Sequence, residues 1–417
     1  MKIAVIGGGA AGLMAAATIK EAWPKVEVII IEKNSELGKK VVISGGGRCN
    51  LTTGLDDIKL TLSKYPRGDK FLTKAMYAFP PKSVREWFIN HGVPVKTEKD
   101  MRVFPVSNNG HDVVDVFKNI FTKIGAEVLL DSPVEDIKKT KKGFSVKIKN
   151  LNKILTVDKV ILTTGGQAYR QTGSTGDGYN LSAKLGHNIT ELAPSLSAFY
   201  TKETWPAEVA GLSIQDAVLK IKINKKKLVI NGPLMFTHKG ITGPAVFAMS
   251  ALIAFEKIDT KTPLKIFIDI FSGTKESELT SELNNLMDKH YKKTVSRVLS
   301  MLVPKSLALI ILSELGIDPL KESGQVGKTD KALIINWMKQ IPLNIVARVA
   351  GEEFVTAGGV DLDEVNPSTM ESKKCPGLYL AGEILNIDGF TGGFNLQSAW
   401  ATGRIAGISV VAKKIIT

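Results

Sequence analysis

Three glycines and one acid carry the clearest chemistry in this chain. Gly7, Gly9 and Gly12 stand in the run Gly7-Gly8-Gly9-Ala10-Ala11-Gly12, and Glu32 follows about twenty residues later. At Gly7 a side chain would block the tight turn. At Gly9 it would keep a pyrophosphate off the backbone, and at Gly12 it would hold a helix away from its strand. The helix that follows offers unbonded N–H groups and a partial positive charge to phosphate. Glu32 accepts from ribose hydroxyls, which favours a dinucleotide with a free 2′-OH, FAD or NAD, over NADP.

Two further glycine loops have the composition of anion or ring cradles. Ser44-Gly45-Gly46-Gly47-Arg48-Cys49-Asn50 is poor material for a helix or strand, and Lys39, Lys40 and Arg48 add cations beside it. Gly389, Gly392 and Gly393 feed a helical segment, Asn395 to Val411. Two residues have side chains suited to proton transfer. Cys49 sits beside Arg48, a cation that would favour its thiolate, and His238 lies in a Thr-His-Lys-Gly loop. The bland alternatives are a packing cysteine and a hydrogen-bonded loop histidine. No metal-ligand spacing or nucleophile triad is evident.

The elements that must position these residues are legible around them. Lys2 to Ile6 reads as a buried strand, Leu13 to Lys20 as a helix and Val26 to Ile31 as a second strand ending at Glu32. A secretory signal is the competing reading of this start, but the glycine turn interrupts its apolar stretch and an acid stands where cleavage would occur. Leu60 to Ile124 is mainly helical, with a short hairpin at Val93 to Val106. Val128 to Leu130, Phe144 to Ile148 and Ile154 to Val157 read as strands around a lysine-rich turn. Val160 to Leu162 runs into Thr163-Thr164-Gly165-Gly166, and a helix is expected from Tyr179 to Leu185. Ala217 to Ile223, Leu228 to Asn231 and Leu264 to Ile270 alternate as antiparallel strands. Helices are expected from Glu276 to Gly351, and Val355 to Val360 and Gly377 to Glu383 return as strands.

A chain of 417 residues holds two or three domains, and 44% apolar with 23% charged residues is ordinary for a globular protein. Cys49 and Cys375 are too few for a disulfide framework, so a reducing cytoplasm is the expected compartment, with no membrane span. The net charge of +14 favours a polyanionic partner, against the alternative of a solvated lysine-rich surface. Lys138, Lys139, Lys141, Lys142 and Lys225 to Lys227 stand at expected hairpin tips, where solvation explains them.

Several motifs together resemble a known family. They are Ser44 to Asn50, Met235-Phe236-Thr237-His238 with Gly240 to Pro244, Thr356-Ala357-Gly358-Gly359-Val360, and Ala381-Gly382-Glu383 through Gly392-Gly393-Phe394-Asn395-Leu396-Gln397. The chain resembles, over nearly its whole length, bacterial two-dinucleotide-binding-domain flavoproteins that include aminoacetone oxidases, a bile-acid enone reductase and a ribosomal-RNA dihydrouridine synthase. The resemblance implies an α/β fold: a glutathione-reductase-like, Rossmann-type FAD-binding domain, a β-barrel-like insert and a small helical subdomain. The implied spans are 1–193 and 351–417 for the FAD domain, 194–272 for the β-rich insert and 273–350 for the helical part.

The resemblance also implies FAD as cofactor. Gly7, Gly9 and Gly12, with Ala11 beside them, would hold its pyrophosphate and Glu32 its adenosine ribose. Lys33, Lys40, Ser44, Gly45, Arg48 and Asn50 would lie along the rest, Val134 on the adenine side, and Thr164 and Gly165 nearby. Gly382, Glu383, Asp388, Gly393, Asn395 and Gln397 would approach the ribityl chain and flavin. Asn386 departs from the family pattern, which has Asp there. No second dinucleotide fingerprint is present, so NAD(P)H as electron donor would dock transiently. The implied activity is reduction of a conjugated C=C bond, in a small-molecule enone or in uracil of ribosomal RNA, with an oxygen-consuming amine oxidase as the alternative. Cys49 and His238 are the candidate acids.

Overall fold

The opening strand is almost wholly buried, and its neighbours are as apolar as it is. In the computed structural model, which describes residues 1–149, 153–349 and 351–412, Lys2–Ile6 is the middle strand of a five-stranded sheet. The order is Leu378–Leu380, Lys159–Leu162, Lys2–Ile6, Glu27–Ile31 and Glu127–Leu129. All four pairings are parallel. Such strands read as continuous Val/Ile/Leu runs because both faces are covered. One helix of the cover, Ala10–Ala22, packs on the closing helix Phe394–Val411. Gly403 and Gly407 set that approach: a Cβ on them would lie 2.3 Å from Ala11 O and 2.7 Å from Ala15 O.

The chain forms two compact units, Met1–Ser195 with the segment from Glu353 onward, and Leu196–Glu352. Besides its parallel sheet the first unit holds two small antiparallel sheets. Thr52–Thr53, Arg102–Pro105 and Val95–Thr97 form one, which includes the expected hairpin. Val134–Thr140, Gly143–Ile148 and Lys153–Val157 form the other. Val134–Thr140 reads from sequence as the approach to a turn; it is a strand whose inward residue Ile137 is buried while lysines occupy its outer positions. A stack of Trp87, Phe88, Phe117 and Trp400 fills the core beside the closing helix, and Trp400 donates to Leu51 O at 2.9 Å.

The second unit is a closed six-stranded barrel, Phe199–Thr201, Gly240–Thr242, Lys226–Thr237, Ser213–Ile223, Leu264–Asp269 and Ile341–Arg348, with helices between Glu276 and Lys339. Its last strand corrects the expectation of helix up to Gly351. Ile341, Leu343 and Ile345 are buried while Pro342 and Asn344 are not, a period of two that the preceding helical run disguises. Much of Gly232 to Pro244 is also strand, turning at His238-Lys239.

One buried polar cluster in the first unit sets a pH dependence. His187 Nε2 lies 2.8 Å from Ser372 Oγ, and Nδ1 lies 3.2 Å from Glu364 Oε2. Burial pushes the imidazole pKa below 6.5, opposed by Glu364. The unfolded chain binds this proton more readily, so the contribution to stability is whole above about 6.5 and is lost as pH falls from there through the folded-state value. Melting temperatures between pH 7.5 and 5.5 are expected to fall less steeply in His187→Gln than in the parent; equal slopes would remove His187 as a source of the acid sensitivity.

Candidate functional site

The site is built where the parallel strands end. Lys2–Ile6 stops at Gly7, whose φ of +104° only glycine adopts freely, and a Cβ there would lie 2.5 Å from Thr163 O. A Cβ on Gly12 would lie 2.0 Å from Gly7 O and 2.7 Å from Thr163 Oγ1. Thr163 Oγ1 donates to this turn, with Ile6 O at 3.0 Å and Gly7 O at 2.9 Å. Gly9 differs from both, because a Cβ there would meet nothing within 4 Å. The helix Ala10–Ala22 has no side-chain cap and no acid in its first turn. Its first amides therefore face open space with no intrahelical partner, the arrangement that binds phosphate.

Glu32 closes the cradle from the second strand. It is 7% exposed, and its carboxylate accepts from Gly8 N–H at 2.7 Å, Asn34 N–H at 2.8 Å and Asn34 Nδ2 at 2.6 Å. A carboxylate has about four acceptor positions, so capacity remains for a ribose hydroxyl. Thr164 Oγ1 and Asn386 Oδ1 are among several buried oxygens of this unit that have no hydrogen-bond partner among the described residues. Buried polar atoms are normally satisfied, so a bound group or an ordered water is due at such atoms. The cradle at Gly9 and the uncapped helix fit a dinucleotide.

Lys40 and Glu383, from opposite ends of the chain, form an ion pair at 2.8 Å. The other Glu383 oxygen accepts from Thr356 N–H at 3.0 Å. Gly166 makes room for this cluster, since a Cβ would lie 2.5 Å from Thr356 Oγ1 and 2.9 Å from Glu383 Oε1. Gly382 brings the last strand to the first helix; its Cβ would lie 2.8 Å from that of Ala11. Lys33 is held by Asp177 at 2.6 Å, and Val134 begins its strand half-buried. Gly165 follows Thr164 in a left-handed turn.

The Ser44 to Asn50 run is a loop as expected. Gly45, Gly46, Gly47 and Cys49 are all left-handed, and Ser44 Oγ donates to Val41 O at 2.8 Å. Arg48 lies over the Phe104 ring at 3.8 Å and pairs with Glu98 at 2.8 Å. It does not activate Cys49, whose thiol is fully buried; burial pushes its pKa up to about 12, against a hydrogen bond from Ser44. Desolvation thus disfavours the thiolate at neutral pH. Cys49→Ala is expected to leave turnover and FAD content unchanged, and a tenfold loss of turnover with full FAD content would overturn that. His238 is exposed at its hairpin tip in the second unit.

Three of the residues expected near the flavin have their polar groups committed to the protein. Asp388 is fully buried, in a two-pronged ion pair with Arg67 and accepting from Ser195 Oγ at 2.6 Å. Asn395 exchanges two hydrogen bonds with the Gly389 backbone, each 2.8 Å. Gln397 accepts from Thr52 Oγ1 at 2.6 Å and donates to Phe79 O at 2.9 Å. These residues shape the Gly389–Gly393 loop. Asn50 ties it to the other glycine loop: in the orientation that satisfies its amide it accepts from Gly393 N–H at 3.0 Å and donates to Thr52 O at 3.2 Å. Thr163, Thr356, Arg67 and Ser195 were not singled out as site residues from sequence. Only the flanking glycines of Thr163 and Thr356 signalled anything there.

A family model described as HI0933-like protein Rossmann domain matches residues 1–409. The chain belongs to the HI0933-like family. It is 30% identical over 408 residues to a 3-dehydro-bile acid delta(4,6)-reductase of Clostridium scindens, covering 97% of this chain and 98% of the relative. It is 26% identical over 417 residues to a ribosomal RNA dihydrouridine synthase of Escherichia coli, covering 98% of each. Among solved structures it shares its fold with the 3-ketosteroid-delta4-(5alpha)-dehydrogenase of Rhodococcus jostii (TM-score 0.52, 15% identity), covering 99% of this chain and 97% of that one. This HI0933-like chain is an FAD-dependent oxidoreductase with an α/β Rossmann-type unit and a barrel. No helix among the described residues is long and apolar enough to cross a membrane.

Proposed function

We propose that this HI0933-like protein is an NAD(P)H-driven reductase of a conjugated carbon–carbon double bond, acting in the cytoplasm on uracil in ribosomal RNA. The observation that supports the reading is a shared chemical demand. The two relatives just described, each matched over nearly the whole chain, are named for a delta(4,6) reduction and for making dihydrouridine. An enone and the uracil C5=C6 bond are both conjugated to a carbonyl, so hydride adds to the β-carbon and a proton to the α-carbon. The net charge of +14 favours the nucleic acid over the steroid-like enone.

FAD, when bound, supplies hydride exchange. Gly9 and the amides of the first helical turn would hold its pyrophosphate, Glu32 its ribose, and Lys40 with Glu383 would place fixed charge beside it. In this reading 1–193 and 351–417 are the FAD domain, interrupted by a β-rich insert at 194–272 and, at 273–350, a helical part whose last stretch, Ile341–Arg348, returns to the barrel. Two experiments test it. Anaerobic NADPH or NADH is expected to bleach the visible flavin absorption of the holoprotein; bleaching by an amine with oxygen uptake, and none by NAD(P)H, would make it an oxidase instead. Deleting the gene is expected to remove a dihydrouridine from digested ribosomal RNA, restored by the wild type and not by a Gly9→Val/Gly12→Val variant. An unchanged dihydrouridine content would exclude RNA as the substrate.

A further inference from the structure

Lysines in the barrel hairpin continue well beyond its tip. The strands Ser213–Ile223 and Lys226–Thr237 are joined by Asn224 and Lys225, both left-handed. Ala217, Leu219 and Ile221 point into the barrel, so the alternate residues Lys220 and Lys222 point out. Lys222 is paired in register with Lys227, and Lys220 with Val229. On the next strand, Leu264–Asp269, Phe267 pairs with Lys220, and exposed Lys265 is the following outward residue. One basic stripe therefore crosses three neighbouring strands.

Three of its four lysines have no carboxylate partner among the described residues. Lys220 has Asp269 at 3.4 Å, but among the described residues no carboxylate lies within 4.0 Å of Lys222, Lys227 or Lys265. Like charges directly opposite on a strand pair have Cβ atoms about 5 Å apart and destabilise the sheet. The lysine-rich hairpin of the first unit is built differently. There Lys138 pairs with Asp136 at 3.6 Å and Lys147 with Glu135 at 3.0 Å, while Lys139 donates to Pro376 O at 2.7 Å and covers the Phe144 ring at 4.2 Å. The two hairpins share a composition, and at the first unit's tip Lys141 and Lys142 are as open as the barrel's; the difference lies along the strands, where Lys138, Lys139 and Lys147 have partners and Lys222, Lys227 and Lys265 have no carboxylate among the described residues.

We infer that the outer face of the barrel strands carrying Lys222, Lys227 and Lys265 docks the phosphate backbone of the RNA substrate. The inference rests on the proposed RNA reading. Outward lysines two residues apart on a strand recur every ~6.7 Å, and neighbouring strands lie ~4.8 Å apart, a grid on which a polyphosphate can be tracked. Phe267, half-buried with Lys265 Nζ 5.2 Å from its ring, adds an aromatic face beside the cations. The apolar material on this face, Val229 and half-buried Phe267, is too little to insert into a lipid surface.

The test uses FAD-loaded protein and a fluorescein-labelled transcript of a ribosomal RNA domain, with binding followed by anisotropy from 50 to 300 mM KCl. K222Q/K227Q/K265Q is compared with K138Q/K141Q/K142Q, which removes the same charge from the other hairpin. The barrel variant is expected to bind at least ~10-fold more weakly and to lose about 2 from the slope of log K against log salt, at ~0.7–0.9 per lost phosphate contact. The control is expected to stay within ~3-fold of wild type, and both variants to keep wild-type flavin reduction by NAD(P)H without RNA. Equal weakening of both variants would reduce the effect to bulk charge and overturn the surface. So would displacement of the RNA by phosphatidylglycerol vesicles at lower concentration than by unlabelled transcript. Barrel-dependent binding without dihydrouridine formation would support the surface and remove the uracil reading. Dihydrouridine formation by the barrel variant at the wild-type rate and KM would overturn the surface and leave that reading standing.

Discussion

Gly12→Ala is expected to yield a protein without FAD and with a melting temperature lowered by roughly 6–12 °C, whereas Gly9→Ala keeps its apoprotein stability and loses only cofactor affinity. The contrast comes from what each new methyl would meet. At Gly12 it would lie 2.0 Å from Gly7 O and 2.7 Å from Thr163 Oγ1, so helix and strand must separate. Overpacking against backbone costs about 3 kcal/mol. At Gly9 the methyl meets no protein atom within 4 Å. It enters the space in front of the helix amides, where a pyrophosphate has to come within hydrogen-bond distance. A rise in the FAD dissociation constant of at least ~10-fold is expected, about 1.4 kcal/mol. Thermal melts of the apoproteins and flavin fluorescence titrations check both halves. Full FAD affinity in Gly9→Ala would mean that the pyrophosphate lies elsewhere.

Arg67→Ala is expected to be the most destabilising exchange of a side chain outside the apolar core. Arg67 binds Asp388 with two nitrogens, and Asp388 is fully buried. Removing one partner of a buried pair leaves an uncompensated charge and costs about 3–5 kcal/mol. Asp388 also holds Ser195, so the loss reaches the strand Ala193–Ser195 and its pairing with Val355–Ala357. Burial already pushes the Asp388 pKa up, with Arg67 and Ser195 pulling it down. Without Arg67 the upward pushes of burial and of the Glu383 charge remain, opposed by the serine. An acid whose folded pKa is raised stabilises the fold below its unfolded value and loses that contribution as pH rises through the folded one. The variant's deficit relative to wild type is therefore expected to shrink between pH 7 and pH 5, and adding Asp388→Asn should recover part of it at pH 7. A deficit independent of pH, or no recovery in the double variant, would show that the pair is not what stabilises this region.

What was legible in the sequence follows the range of the interactions involved. The strand–turn–helix–strand run to Glu32 is local, and apolar pattern, glycine spacing and terminal acid all agree there. The Ser44–Asn50 loop was equally plain, because three consecutive glycines flanked by Ser, Arg and Asn suit neither helix nor strand. Ile341–Arg348 was misread because it follows the helix Lys328–Lys339 with a single residue between them, and its alternation is short. The family resemblance places Asp388 and Gln397 toward the flavin, and the structure adds that both are tied to distant protein partners. Their partners, Arg67 and Thr52, lie more than three hundred residues away in sequence, and no spacing rule reaches that far. Cys49 shows the same limit. Adjacency to Arg48 in sequence suggested a charged neighbour, while the fold turned the guanidinium onto Phe104 and the thiol inward.

The parallel sheet takes its edge strand, Leu378–Leu380, and the partner of its first helix, Phe394–Val411, from the end of the chain, whereas every barrel strand lies between Phe199 and Arg348. During synthesis the order of completion is thus the reverse of the order of appearance. At 5–20 residues per second the ribosome needs roughly 20–80 s to reach Val411, and for most of that time the first glycine turn has emerged without the helix that covers it. The barrel can close on the ribosome before the nucleotide cradle has its edge strand and covering helix. Cofactor loading consequently follows the synthesis of Leu378–Leu380 and Phe394–Val411, and in the interval before it the Ile-rich strands lack part of their cover.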